Sequence, residues 1–298
     1  MTAEAREARL ARWLVWPALA TVALVAIVPL LGTLWESLHL HDLRMPWLGR
    51  PFVGADHYME ALRDARFRAA IAHTLFFTFA SVLLEMTLGL ILALVMHRGF
   101  RGRGAVRTLV LLPWAVPTIV TGLIWRFMFE SRAGIANVTL AATGIVTPDF
   151  AWFADAFAAW LPIIAADVWK TTPFVALLLL AGLQTIDAGL YEAARIDGAS
   201  AWQRFRLITL PMLAPAILVA FVFRSLDAFR VFDLIFVMTG GGPGTATESI
   251  SLYAFDALLQ NLRFGYGSAL SISVFVLAFL FAAIFVRAAR RSLLEIPS

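Results

Sequence analysis

Tyr191-Glu192-Ala193-Ala194-Arg195-Ile196-Asp197-Gly198-Ala199-Ser200, leading on to Ile208-Thr209-Leu210-Pro211, is a polar, alanine-rich island between two long apolar runs. Glu192, Ala193, Ala194 and Arg195 suit a helix, Gly198 ends or bends it, and Ala199 to Leu210 can restart one. The stretch therefore predicts two short helices at an angle, lying at a membrane surface. Ala193, Ala194 and Ala199 allow another surface to approach closely, and Gly198 permits a tight corner. Glu192 and Arg195 offer charge to a polar cleft, with Asp197 beside the corner.

The apolar runs on either side set the class. Hydrophobic residues make up 61% of the 298 positions and charged residues 15%, whereas a soluble domain holds about half and about a quarter. The composition predicts an all-α integral membrane protein. With about 20 apolar residues per span, the chain has room for roughly six crossings and short loops. It is expected to form one transmembrane domain over 1–298. Within it, residues 1–68 are an N-terminal helix and outer connection, and 69–290 are a core that contains the polar loop 187–211. Cysteine is absent, which excludes disulfide and thiolate chemistry. The net charge of +4 comes from arginine and reads as membrane topology rather than nucleic-acid binding.

Spans are predicted at Trp13–Trp35, Ala69–Met96, Thr108–Phe129, Ala156–Leu180, Met212–Met238 and Tyr266–Val286. The first is too long for a secretory apolar segment and is read as retained. In the connection 130–155, Trp152 and Phe153 suit an interfacial belt. Gly240-Gly241-Gly242-Pro243-Gly244 opens a flexible outer loop. Orientation follows from Lys and Arg. With both termini inside, thirteen cations lie on the inner side: Arg6, Arg9, Arg12, Arg98, Arg101, Arg103, Arg107, Arg195, Arg204, Arg206, Arg287, Arg290 and Arg291. Seven lie outside: Arg44, Arg50, Arg63, Arg66, Arg68, Arg132 and Arg263. The bias predicts N-in and C-in, with 187–211 in the cytoplasm.

Ionisable groups at membrane depth mark pathways or pairs. The fifth span carries Arg224, Asp227, Arg230 and Asp233 in steps of three, so neighbours can meet along the helix. Arg224 lies thirteen residues past Pro211, about 20 Å along a helix and near mid-bilayer. The fourth span holds Asp167 and Lys170 between Pro162 and Pro173, where proline is expected to kink the helix and line a cavity. Glu85 and Arg126 are weaker candidates. These charges either line a pathway or pair helices structurally. As pathway groups, paired Asp and Arg suit a neutral, hydroxyl-rich ligand, and Phe229, Phe232, Trp169 or Tyr253 would cover its apolar faces. His39, His41, His57, His73 and His97 show no metal-ligand spacing, so no metal site is expected. Lys170 is the only lysine and follows no glycine-rich turn, so no phosphate-binding loop is present.

Glu192-Ala193-Ala194, three residues, Gly198, nine residues and Ile208-x-Leu210-Pro211 together resemble the signature loop of binding-protein-dependent ABC importer permeases. The resemblance runs from about residue 70 to the C-terminus. It is to sugar-importer permeases of the maltose-permease type, most nearly the trehalose importers, through Val168-Trp169-Lys170-Thr171-Thr172-Pro173-Phe174 and Asp197-Gly198-Ala199-Ser200-Ala201-Trp202. It implies a multi-pass permease subunit of the cytoplasmic membrane, surrounded by lipid. Beside it would stand a second homologous permease subunit, two ATPase subunits and an external solute-binding protein that delivers the sugar. Glu192, Ala193, Ala194, Arg195, Asp197 and Gly198 would dock on an ATPase. ATP and Mg would sit on those partners, leaving this chain without a cofactor, enzymatic activity or nucleic-acid partner. In the maltose type, substrate contacts fall near the positions of Arg230 and Val231, although Arg230 stands where that type has Asn. The implied cargo is trehalose. Alternatives are the same machinery carrying maltose, another oligosaccharide or glycerol phosphate, or an ion-coupled secondary transporter using the buried charges.

Overall fold

The structure, a computed structural model, describes residues 3–294, with side chains described for 13–284 and for Arg287. The side chains of Arg6, Arg9, Arg12, Arg290 and Arg291, which entered the orientation count, lie outside the described residues. In chain order the helices are α1 (Ala3–Val22) and α2 (Val28–Ser37), joined by a π-helical turn, then α3 (Asp56–Arg63), α4 (Ala65–His97), α5 (Arg103–Ala115), α6 (Thr118–Met128) and α7 (Ile135–Ala142). There follow α8 (Trp160–Gln184), α9 (Ala188–Ile196), α10 (Ala201–Arg204), α11 (Leu210–Phe229), α12 (Asp233–Met238), α13 (Ile250–Phe255) and α14 (Phe264–Leu294). No strand occurs among the described residues, which hold only isolated bridges such as His39 with Phe52.

Five stretches are long and apolar enough to cross a membrane: Trp13–Ser37, Ala65–His97, Trp160–Gln184, Ala201–Phe229 and Phe264–Ile284. The pair α5 and α6 makes a sixth if counted as one span. The chain is therefore an all-α, multi-pass membrane protein. Two expected features are corrected. The third span is not one straight helix, because α5 and α6 meet at 92°. Pro117 has no N–H to continue the ladder and holds Val116 extended, at ψ 131°. The fifth span does not run to Met238. It stops at Phe229, and the break at 230–232 is held by Ser249, whose hydroxyl donates to the Val231 carbonyl at 2.7 Å. Pro173 lies inside α8, which runs from Trp160 to Gln184 without interruption.

The chain packs as two units, Met1–Ala65 with Tyr253–Val276, and Arg66–Leu252 with Leu277–Ser298. In the first, the connection after α2 is tied down by polar contacts. Asp64 accepts from both Tyr253 and Tyr266. Arg263 pairs with Glu60 at 2.7 Å and lies over the Tyr266 ring. The Arg44 guanidinium, hydrogen-bonded to Asp42, holds that carboxyl below the usual range.

In the second unit, large apolar side chains cover the outside of the spans as well as the core. On α4, Leu75, Phe76, Phe79, Leu83 and Leu88 point outward, while Thr74, Thr78, Ser81, Glu85, Gly89 and Ala93 are on the buried face. The spacing of that face follows the helical repeat. Its small residues let helices close up: a Cβ on Gly89 would stand 2.6 Å from Val175 Cγ1, and one on Gly182 would stand 2.6 Å from Ala216 Cβ. The shared core joins α4, α8 and α11 through Ala93, Val175, Leu179, Leu183, Leu213 and Ala220.

Two connections depart from expectation here. Trp152 is not an interfacial anchor: it is buried, donates Nε1–H to Asn137 Oδ1 at 3.0 Å, and packs edge-on against Phe129. The turn at Gly240 to Gly244 is not a flexible loop. Thr247 donates its hydroxyl to the Gly242 carbonyl at 2.7 Å, Thr247, Glu248 and Ser249 are buried, and Arg66 grips Glu248 through two bonds of 2.6 and 2.8 Å. Local glycine content suggested mobility; burial and hydrogen bonding override it.

The close approach of α8 and α11 yields a test. Gly182→Ala should lower stability by about 1–3 kcal/mol, the usual cost of overpacking, read as a lower melting temperature of the detergent-solubilised protein. Adding Ala216→Gly should restore part of the loss.

Candidate functional site

Arg224 is almost fully buried, 2% exposed, at membrane depth on α11. A guanidinium there requires carboxylate partners. Glu85, on the buried face of α4, accepts from Nε at 2.5 Å and from Nη2 at 2.8 Å, a two-pronged pairing. Asp227, one turn further along α11, accepts from Nη1 at 2.5 Å. Asp167 of α8 accepts from Nη2 at 3.2 Å. Thr171, one turn from Asp167, donates to Glu85 Oε1 at 2.7 Å. One cation thus joins three helices.

Beside this cluster lies a cavity of about 350 Å³, lined by Asp167, Lys170, Asp227, Arg230, Val231 and Asp233, with Phe77, Thr118 and Phe232 completing much of its wall. Of the candidate pathway residues, these six are brought together on one cavity, whereas Arg224 sits behind it as the group that holds Asp167 and Asp227. Arg230 is 70% exposed and 3.6 Å from Asp227. Lys170 donates to the Val116 carbonyl at 2.7 Å and to the Trp114 carbonyl at 3.4 Å. Arg126 donates to the Val237 carbonyl at 3.0 Å and holds α6 to the end of α12. Of the four candidate aromatics, only Phe232 reaches the cavity. Phe229 is buried against Phe281, Trp169 packs on Trp125, and Tyr253 binds Asp64. Glu85, weighted lightly from sequence, is fully buried and central. The spacing Thr74, Thr78, Ser81, Glu85 was the signal for it: a polar stripe on one face of an apolar helix.

The cavity sits where two helices are interrupted. Thr118 begins α6 after the bend, and Arg230 to Phe232 separate α11 from α12. Irregular backbone at this depth is tolerated where it faces protein or a wet cavity.

The polar island forms a well-capped elbow. Asp187 accepts from the Gly189 N–H at 2.9 Å to start α9. Gly198 turns the corner at φ +78°, with open space around its missing side chain. Any strain from a larger residue would therefore come from the backbone rather than from a clash. Ser200 and Gln203 then form a capping box that starts α10. The Tyr191 hydroxyl lies 3.0 Å from Thr209 Oγ1 and ties the two arms together. Glu192 and Arg195 line a groove of about 810 Å³ with His97, Arg98, Trp202 and Phe205. Ala193, Asp197 and Gly198 are exposed and Ala194 is half-buried. Ile196 and Leu207 are 87% and 71% exposed, apolar surface outside the hydrophobic core.

The sequence pattern of the family described as binding-protein-dependent transport system inner membrane component matches residues 85–293. The trehalose/maltose transport system permease protein MalF of Thermococcus litoralis is 47% identical over 263 residues, covering 88% of this chain and 87% of that one. The trehalose transport system permease protein SugA of Mycobacterium tuberculosis is 42% identical over 266 residues, covering 88% and 83%. In fold, the chain is similar to a solved bacterial ABC transporter involved in the import of the acidic polysaccharide alginate. The TM-score is 0.82 at 24% identity, with 97% of this chain and 99% of that chain covered.

Glu85→Ala would leave Arg224 short of its two-pronged partner in a buried site. The expected loss is about 3–5 kcal/mol, the cost of breaking a buried pair, read as reduced accumulation in the membrane and a lower melting temperature. Glu85→Gln, whose amide oxygen still accepts from the guanidinium, should lose less than Glu85→Ala.

Proposed function

The chain belongs to the family of binding-protein-dependent transport system inner membrane components, and from that premise we propose that it is the permease subunit of an ATP-driven importer of a neutral disaccharide, trehalose first and maltose second. The cavity beside Arg224 carries this reading. Its volume of about 350 Å³ falls in the range of small-ligand sites. Three carboxylates line it, Asp167, Asp227 and Asp233, and they accept from sugar hydroxyls. Each of its cations has a carboxylate or carbonyl neighbour: Lys170 gives two donors to backbone carbonyls, Arg230 lies 3.6 Å from Asp227, and Arg224 is paired with Glu85 behind the wall. A phosphate or sulfonate ligand calls for unpaired cations, so this lining weighs against glycerol phosphate. Two relatives named for trehalose, at 47% and 42% identity, support the choice of sugar.

In this reading the chain lies N-in and C-in in the inner membrane, and the elbow faces the cytoplasm. A second homologous permease supplies the other half of the pathway, and an external binding protein delivers the sugar. Two ATPase subunits carry ATP and Mg, while this chain binds no cofactor. Glu192 to Gly198 dock on an ATPase, where the exposed apolar Ile196 and Leu207 supply contact area. ATP-driven closure of the ATPases moves the elbow and opens the cavity alternately to the two sides.

The test is the ATPase rate of the assembled complex, reconstituted with its solute-binding protein. Trehalose should stimulate it, maltose less strongly, and glycerol phosphate not at all. Stimulation by glycerol phosphate alone, or sugar uptake by this chain without ATPase partners, would overturn the proposal. In the same assay Gly198→Val should leave membrane insertion intact and reduce sugar-stimulated hydrolysis by about tenfold. A β-branched residue at positive φ costs at least about 1–2 kcal/mol, and 1.4 kcal/mol is a factor of ten.

A further inference from the structure

We propose that Lys170 is a positioning residue for transport, the group through which occupancy of the cavity reaches the joint between α5 and α6. The inference rests on the cavity being the sugar site, and it assigns Lys170 a task that sugar binding alone does not require.

The joint is a weak point in the backbone. α5 ends at Ala115, only Val116 and Pro117 intervene, and α6 leaves at 92°. Pro117 has no N–H to bridge the corner, and the last carbonyls of α5 lack helical partners. Lys170 fills that need from the neighbouring helix. Its ammonium donates to the Val116 carbonyl at 2.7 Å and to the Trp114 carbonyl at 3.4 Å. A cation at a helix C-terminus is also favoured by the helix dipole.

The halves on either side of the joint have different companions. α5 packs on α8, whereas α6 packs on both α8 and α12 and is pinned to α12 by Arg126 on the Val237 carbonyl. Lys170 is thus a polar tie from the end of α5 to α8, placed where Thr118 and Lys170 both line the cavity. An ammonium has three donors, and two are committed to α5. A sugar oxygen that accepts from Nζ draws the ammonium toward the cavity. The 3.4 Å bond to Trp114 is the weaker and gives way first. A filled cavity therefore loosens the end of α5, and an empty one holds it.

The neighbours of Lys170 make it well placed for this. On the same turn of α8, Asp167 is bonded to Arg224 of α11 and Thr171 to Glu85 of α4. Asp167 and Thr171 also line the cavity, but their partners are the buried groups of neighbouring spans, whereas Lys170 links the ligand space to the α5–α6 joint.

The experiment uses the full complex in nanodiscs, with trehalose-loaded binding protein as the probe. The chain has no cysteine, so Leu109→Cys on α5 and Phe127→Cys on α6 give it defined sites for a spin-label pair across the joint. Both positions are exposed, at 63% and 73%. In the wild type, the loaded binding protein should change the label distance and stimulate hydrolysis. Lys170→Met should show the changed distance without ligand and raise the unstimulated rate by about tenfold, the effect of losing one charge-assisted hydrogen bond. Lys170→Arg, which still donates to the carbonyls, should restore stimulation to within about twofold of wild type.

A plain structural cap would lower the yield of Lys170→Met without altering the ratio of stimulated to unstimulated rate. That result, or wild-type stimulation with no change in label distance, overturns the assignment. Should Lys170→Met fail to assemble, the wild-type label distances and the Lys170→Arg rates decide it alone. Absence of any stimulation in the wild type instead removes the sugar-importer reading, and this inference falls with it.

Discussion

The buried guanidinium of Arg224 constrains everything around it. A cation at membrane depth is costly unless carboxylates surround it. Here they come from three helices: Glu85 from α4, Asp167 from α8 and Asp227 from α11. Apolar packing tolerates small slips of one helix against another, because many contacts of similar strength are available. A two-pronged guanidinium pair does not, because a shift of about 1 Å takes its hydrogen bonds outside their working range. The cluster therefore sets the register of the three helices, while Gly89 and Gly182 set how closely they approach. Two of the same carboxylates also line the cavity. Packing and ligand space share atoms, so the site cannot be altered at Asp167 or Asp227 without disturbing the helix contacts.

The interrupted helices follow the same logic. Broken backbone exposes carbonyls and N–H groups that lipid cannot satisfy. Each break has a side-chain partner: Lys170 for the end of α5, and Ser249 for Val231 between α11 and α12. The breaks are therefore stable features that bring polar backbone to the cavity. Their positions at its rim make them natural places for the bending that alternating access would need.

Much of this was legible in the sequence, for physical reasons that also show where legibility ends. Spans are long apolar runs of about 20 residues, so five of them stand out directly, while the bent pair α5 and α6 makes a sixth only if counted as one. The elbow is written in local chemistry: helix formers and a corner glycine; the Ser200–Gln203 capping box is a further local signal that the structure brings out. The charges of α8 and α11 stood out because lipid disfavours them. Glu85 was underweighted because a lone carboxylate in a span has no local partner, its Arg224 being 139 residues away. The break at 230–232 contains neither proline nor glycine, so no local signal marks it; Ser249, distant in sequence, sustains it. Proline was an uneven guide. Pro173 stays within α8 and Pro113 within α5, whereas Pro117 ends a helix. The glycine-rich turn misled for the opposite reason: burial of Thr247 to Ser249 fixes a segment whose composition suggests mobility.

The elbow and the cavity are joined by continuous structure. α8 carries Asp167 near one end and stops at Gln184, just before the elbow. α11 starts at Leu210, directly after it, and carries Arg224 and Asp227 near its far end. The separations along the helices are about 25 Å on α8 and about 20 Å on α11 at 1.5 Å per residue. Helices of this length are stiff compared with the loops between them, and these two are locked together at Gly182 against Ala216 near the elbow and by Arg224 at the cavity. A push on the elbow in the proposed cycle therefore reaches Asp167 and Asp227 as a movement of one body. What can yield is the joint at Val116–Pro117 and the break after Phe229, both at the cavity. In the proposed cycle, force would enter at one end of these two helices, and the change of shape would be concentrated at the cavity.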